Sequence, residues 1–357
     1  MSYMIKRRAI SVTAVGAVVA LALTGCVDSD RPQTGDAGSA ECPWEVDETI
    51  ETSVSIGWQR IPNGDLIVKD HALLEACMPN ASITWTDFDS GGKVVQAYAS
   101  GDIDLALIGN SPSVLAMSPD NNLDVDVVWI HAVIGEAESL IAKDPDVTSI
   151  SDLQGELIGV PFGSTAHYSL QQAILVAGLD PNADFTITNL EPSAMPAAWT
   201  SDGIAAAWVW EPTQSELLNT GGHLVLSSAD TAADGYPTYD LGTADGTFIA
   251  DNPAFMAQWA TAQSYAVELI QDDPDAAAES IAATLGVTLD EAHTQLAGYT
   301  YLTAEEQIGA DYLGGGMATD LVNTASFLLE QGSIAETLSD EEYSQHVDAT
   351  AAQAAAG

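Results

Sequence analysis

The sequence predicts an α/β protein built as two lobes. Strand and helix patterns alternate along most of the chain, which is the signature of sheets covered by helices. With the polar start set aside, about 310 of the 357 residues remain, more than one core comfortably serves. No repeat of roughly 20–50 residues is present, so a solenoid is excluded.

The elements follow in order. "TSVSIGW" (52–58) alternates as a strand, and "LIVKDHALLEACM" (66–78) has helical spacing. "ASITWTDF" (81–88) is a strand, followed by the helix "GGKVVQAYASG" (91–101), which ends on glycine. "IDLALIG" (103–109) is a strand, and Asn110-Ser111-Pro112 opens the next helix with a capping residue ahead of proline. "VDVVWIHAV", "ESLIAKD" and "GELIGVPF" continue as strands, and "AHYSLQQAILVAGL" is a helix. A second cycle runs through "DFTITNL", the helix "MPAAWTSDG", "IAAAWVW" and "HLVLSS". After "YPTYDLGTADGTFIA" the pattern is helical over 254–271, 274–285, 288–296, 303–309 and 317–331. Such alternation predicts mainly parallel sheets, with ligand-binding loops at the carboxyl ends of the strands.

The first 26 residues carry Lys6-Arg7-Arg8, a short apolar run, and Leu23-Thr24-Gly25-Cys26. This order reads as a secretory signal. Its ending resembles a bacterial lipobox, which implies cleavage before Cys26 and lipidation of that thiol. Residues 27–45 are small and polar and read as a flexible tether. The expected location is therefore the outer face of the cytoplasmic membrane, held by a lipid anchor only.

Asp and Glu number 52 against 8 Lys and Arg, for a formal net charge of −44. Beyond the signal the basic residues are Arg31, Arg60, Lys69, Lys93 and Lys143. Nucleic acid is excluded as a partner, because it requires clustered positive charge. Cys42 and Cys77 remain after Cys26, and in an oxidising compartment a bridge between them is expected over two free thiols. Without a CxxC pair or a Cys/His cluster, neither a metal nor a cofactor is expected.

Three loops share one design. Asp89-Ser90-Gly91-Gly92, Gly109-Asn110-Ser111-Pro112 and Gly163-Ser164-Thr165 each end a strand and start a helix. Each reads alone as an N-cap. Three together offer free helix N–H groups to an anionic ligand without a formal positive charge. Arg60 is either the one formal charge of that site or half of a surface ion pair. His167 follows Ser164 and Thr165, but no G-x-S-x-G elbow exists, so His167 reads as a packing residue and no enzyme is expected.

The segments "FDSGGKVVQAYASGDIDLALIGNSPS", "GEAESL", "VPFGSTAHYSL", "AAW", "AAWVWEP", "PTYD" and "YTYLTAEEQ" occur in order between about Ser53 and His346. The chain thereby resembles the taurine-binding proteins of ABC importers, within the wider group for alkanesulfonates, nitrate and pyrimidine precursors. The resemblance implies a type II periplasmic-binding-protein fold, two α/β lobes joined by two crossing segments near 135–142 and 236–243. Lobe 1 would comprise 46–136 and 238–357, and lobe 2 would comprise 137–237.

It also implies roles. Ser90, Asn110, Ser111, Ser164 and Thr165 would surround a sulfonate, and Glu138 and Asp240 would receive an ammonium. Trp210 would wall the cleft, with core packing as its alternative, and a solvated acid is the alternative for Glu138. The implied ligand is a small zwitterionic sulfonate, taurine. The implied partners are an ABC permease with its ATPase, and the protein is expected to be a monomer. At Gln59–Asp65 and at Gly163 the chain departs from the taurine pattern. Another alkanesulfonate, a nitrate-like anion, a pyrimidine precursor or a receptor role therefore stand as alternatives.

Overall fold

In the computed structural model, which describes residues 41–357, the strands fall into two mixed sheets. The predicted signal, Cys26 and Arg31 lie outside the described residues. In chain order the strands are β1 (Ser53–Gln59), β2 (Ser82–Phe88), β3 (Leu105–Gly109), β4 (Val125–Ile134), β5 (Glu138–Ala142) and β6 (Leu157–Val160). They continue with β7 (Thr186–Asn189), β8 (Ala206–Trp210), β9 (His223–Ser227), β10 (Tyr239–Asp245) and β11 (Tyr299–Thr300). One sheet has the order β11-β4-β10-β3-β1-β2, and the other has β7-β6-β8-β5-β9.

Position within a sheet follows from composition. β3, β5 and β8 are buried at every residue, as central strands covered on both faces must be, and LALIG and AAWVW are almost wholly apolar. The edge strand β2 carries Ser82, Thr84, Thr86 and Asp87 among its apolar residues and is only part-buried.

The sheets are less parallel than the alternation predicts. β1 pairs in parallel with β2 and β3, and β6 with β7 and β8. β10 runs antiparallel to β3 and β4, β11 to β4, and β5 to β8 and β9. The reason lies in the passages between sheets. The chain leaves the first sheet at Ile134 and enters the second at Glu138, with no crossover helix to restore a parallel direction. It returns between Ser227 and Tyr239 through the short helix Ser228–Ala233.

A second difference is the helix expected over 66–78. It is split into Gly64–Asp70 and Leu73–Cys77 by Ala72, which has φ 48° and ψ 42°. That left-handed residue costs ~1–2 kcal/mol. The turn it makes buries Leu73, Leu74 and Cys77 together, and Cys77 is bonded to Cys42. The helices Thr213–Asn219 and Ser228–Ala233, the strand β11, and the helices Asp340–Gln345 and Thr350–Ala356 were not predicted.

Candidate functional site

The two passages bring two acids together. Glu138 is the first residue of β5 and Asp240 the second of β10, so each stands where the chain has just changed sheets. Both are buried, at 1% and 4% exposure. They line a cleft with Gln59, Ile61, Gly91, Gly109, Pro112, Ile134, Ser164, Thr165, Trp210 and Tyr299. No Lys or Arg lines this cleft among the described residues.

The two carboxylates are held differently. Glu138 accepts hydrogen bonds from Thr165 Oγ1 (2.5 Å) and Ser228 Oγ (2.6 Å), one on each oxygen. Ser169 Oγ stands 3.1 Å from Ser228 Oγ and extends this network. Burial pushes the Glu138 carboxyl up to about 7, against the pull of those hydroxyls. Asp240 Oδ2 is buried with no partner. Burial first, and then the neighbouring Glu138 charge, hold the Asp240 carboxyl well above its ordinary range. Two ionised carboxylates buried side by side are costly unless a cation joins them.

The other wall is made of helix starts. Ser90 caps Gly91–Ser100 without a side-chain hydrogen bond to the helix, and Gly109 precedes Asn110–Met117. The first N–H groups of a helix have no partner within it, so the helix starts whose Gly91, Gly109 and Pro112 line the cleft turn the positive ends of two helix dipoles toward it. Gly91 fits only as glycine, since a Cβ there would stand 2.6 Å from Pro112 Cγ. The lobes meet across the cleft. A side chain at Gly109 would strike Thr165 Cγ2, Ser193 Oγ donates to Asp89 Oδ2, and Tyr168 packs edge-on against Phe327 at 4.8 Å.

The predicted residues therefore separate. Glu138, Ser164, Thr165, Trp210 and Asp240 share the cleft, and Ser90 is buried beside it at the helix start. Several expected donors are committed elsewhere. Ser164 Oγ donates to Pro161 O at 2.6 Å and accepts from His167 N, so it is a cap whose hydrogen is already placed. Thr165 gives its hydrogen to Glu138, so the anion held by the turn VPFGSTAHYS is the protein's own carboxylate. Asn110 is fully buried, donating to Thr324 Oγ1 and accepting from Tyr239 N, and so ties β10 to the helix Gly316–Glu330. Ser111 Oγ is buried without a partner.

Arg60 lies outside the inner cleft. It is 59% exposed, pairs with Asp87 at 3.0 Å, and lines an outer mouth with Asp89, Ser193 and Trp210. His167 stacks on Phe162 at 4.6 Å, and burial pulls its pKa down to about 4, consistent with a packing residue. Elsewhere Asp124, Asp126 and His346 converge, with His346 Nδ1 2.8 Å from Asp126 Oδ1; this is an ion pair at the start of β4.

The cleft residues Gln59, Ile61, Ile134 and Tyr299, and the supporting Ser228, were not predicted. Ser227 with Asp230 three residues later is a capping box, and that signal marks the helix carrying Ser228.

Residues 52–283 match the family model described as the substrate-binding domain of an ABC-type glycine betaine transport system. The chain is 32% identical over 273 residues to the taurine-binding periplasmic protein of Escherichia coli (strain K12), covering 75% of this chain and 82% of that one. It is 31% identical over 180 residues to a putative aliphatic sulfonates-binding protein of the same strain, covering 50% and 56% of the two chains. The crystal structure of the E. coli periplasmic aliphatic sulphonate binding protein SsuA superposes with a TM-score of 0.69 at 23% identity, over 83% of this chain and 97% of that one. At that identity the superposition speaks for the type II binding-protein fold alone.

Proposed function

Because the chain belongs to the substrate-binding-domain family of ABC-type transport systems, within its alkanesulfonate and taurine group, we propose that it captures taurine outside the membrane and delivers it to an ABC permease. The observation that carries this reading is the pair of buried carboxylates, Glu138 and Asp240, facing each other without a protein cation and opposite uncapped helix starts. An ammonium at one end and a three-oxygen anion at the other satisfy both walls at once. Trp210 adds an aromatic wall beside the cation.

The same geometry separates the ligands that the family takes. A quaternary ammonium has no N–H to give, whereas these carboxylates are hydrogen-bond acceptors and the cleft lining offers only Trp210 and Tyr299 as aromatic walls. Glycine betaine is therefore disfavoured. A plain alkanesulfonate or nitrate would leave both acids unpaired and bring a further negative charge beside them. A zwitterion is also neutral overall, and so is not repelled by a chain of formal net charge −44.

Thermal melting against a ligand panel tests this reading. Taurine at one hundred times its Kd stabilises by ~2.7 kcal/mol, while glycine betaine, ethanesulfonate and nitrate at equal concentration leave the melting point unmoved. Stabilisation by ethanesulfonate equal to that by taurine sinks the assignment of the acids. Lipid anchoring at Cys26 is part of the same proposal. Cys26→Ala should yield protein without the diacylglycerol mass, and a variant that still carries it rejects the anchor.

A further inference from the structure

β11 begins at Tyr299, and Tyr301 follows directly after the strand, with ring centroids 6.0 Å apart. Their hydroxyls have different fates. Tyr301 donates to Pro62 O at 2.7 Å, which anchors this edge to the loop after β1. The Tyr299 hydroxyl is buried without any partner, and the residue lines the ligand cleft.

A buried phenol without a hydrogen-bond partner is unfavourable, and a native structure that keeps one generally has a use for it. Its surroundings indicate the use. β4 lies between β11 and β10, pairing Ile134 with Tyr299 on one side and Ala132 with Asp240 on the other. Glu138 follows four residues after Ile134. Three oxygen-bearing groups from three strands thus converge on one end of the cleft, and two of them, Asp240 Oδ2 and Tyr299 Oη, have no partner.

We propose that Tyr299 is a ligand-contacting, specificity-determining residue, the third acceptor of a socket in which Glu138, Asp240 and Tyr299 each take one N–H of a primary ammonium. This rests on the reading that the ligand brings an ammonium to the acidic end. A primary ammonium has three donors, and the socket has three acceptors. Each N-methyl group removes a donor and places carbon against an oxygen buried in the cleft, so the site counts hydrogens on nitrogen.

The test is titration calorimetry of wild type and Tyr299→Phe with taurine, N-methyltaurine, β-alanine and homotaurine, with melting curves as the control for folding. Phenylalanine keeps the ring packing, and losing the unpartnered hydroxyl should leave the melting point equal or higher. Taurine should bind the variant roughly 10- to 100-fold more weakly, the worth of a hydrogen bond to a charged group. Wild type should lose a similar factor on N-methylation and the variant a clearly smaller one. Equal taurine affinity in the two proteins, or an unchanged N-methyl penalty in the variant, overturns the proposal. If taurine fails but β-alanine or homotaurine binds and is weakened by the same substitution, the taurine reading falls and the socket stands. If none of these amines binds wild type at millimolar concentration, the socket is itself contradicted.

Discussion

Replacing Asp240 by Asn separates the cost of a buried charge from its use. Asp240 is 4% exposed, its Oδ2 has no partner, and its carboxyl is held well above the ordinary range by burial and by Glu138. In the empty protein at neutral pH this group is therefore a liability. Its folded-state pKa is raised, so its favourable contribution is complete below the ordinary carboxylate range and is lost as pH rises through the higher folded value. Asp240→Asn should raise the melting temperature of the ligand-free protein, and the gain over wild type should widen from pH 4 upward. Each kcal/mol is worth roughly 1.5 °C in a chain of this length, from an unfolding entropy of ~2.1 cal/mol/K per residue. Binding should respond in the opposite sense. Removing one partner of a desolvated charge pair costs ~2–5 kcal/mol, or about a thirtyfold to several-thousandfold loss of taurine affinity. Calorimetry at pH 8 and melting curves from pH 4 to 8 read both effects. Wild-type affinity in the variant, or a melting point that falls at high pH, would falsify the reasoning.

Other outcomes follow from the same contacts. Ser164→Ala should cost ~1 kcal/mol of stability as a lost cap, with taurine affinity unchanged within about twofold, since the hydroxyl hydrogen is bound to Pro161; a tenfold loss of affinity would show that the hydroxyl turns to the ligand. Glu138 titrates at about 7 in the fold against an ordinary 4.5, so ligand-free stability should fall by roughly 3 kcal/mol as pH rises across that interval. In calorimetric melts Glu138→Gln should show a fall smaller by about that amount, the remainder belonging to Asp240, and a fall as large as in wild type would assign it to another group. Reducing Cys42–Cys77, which are 35 residues apart, should destabilise the protein by about 3–4 kcal/mol, read as a lower melting temperature in dithiothreitol.

The α/β class was legible because a buried central strand has to be apolar, and IDLALIG and IAAAWVW satisfy that in any context. Strand direction was not legible. It depends on where the chain changes sheets, and three residues between Ile134 and Glu138 carry no periodic signal. The turn at Ser164 and Thr165 is a place for an anion, but nothing local says that the anion is Glu138, 27 residues away in the sequence. Asn110-Ser111-Pro112 marks a helix start, and the resemblance makes Asn110 a ligand donor; its actual partners, Tyr239 and Thr324, come from the distant half of the chain. Sequence leaves Arg60 as either the site's one formal charge or half of a surface ion pair, and only the fold brings Asp87 from the adjacent strand to hold it at the surface. Tyr299 sits on a strand of two residues, too short for any alternation to reveal which hydroxyl meets the cleft.

The central claim is that the acidic end of the cleft exists for an ammonium and the helix starts for a sulfonate. Calorimetric titration of the wild-type protein with taurine and with ethanesulfonate tests it most directly, because the two ligands share the sulfonate and differ in the amine. Leaving Glu138 and Asp240 without a cation should weaken ethanesulfonate by at least about thirtyfold relative to taurine, from the same ~2–5 kcal/mol. Ethanesulfonate binding as tightly as taurine would contradict the account.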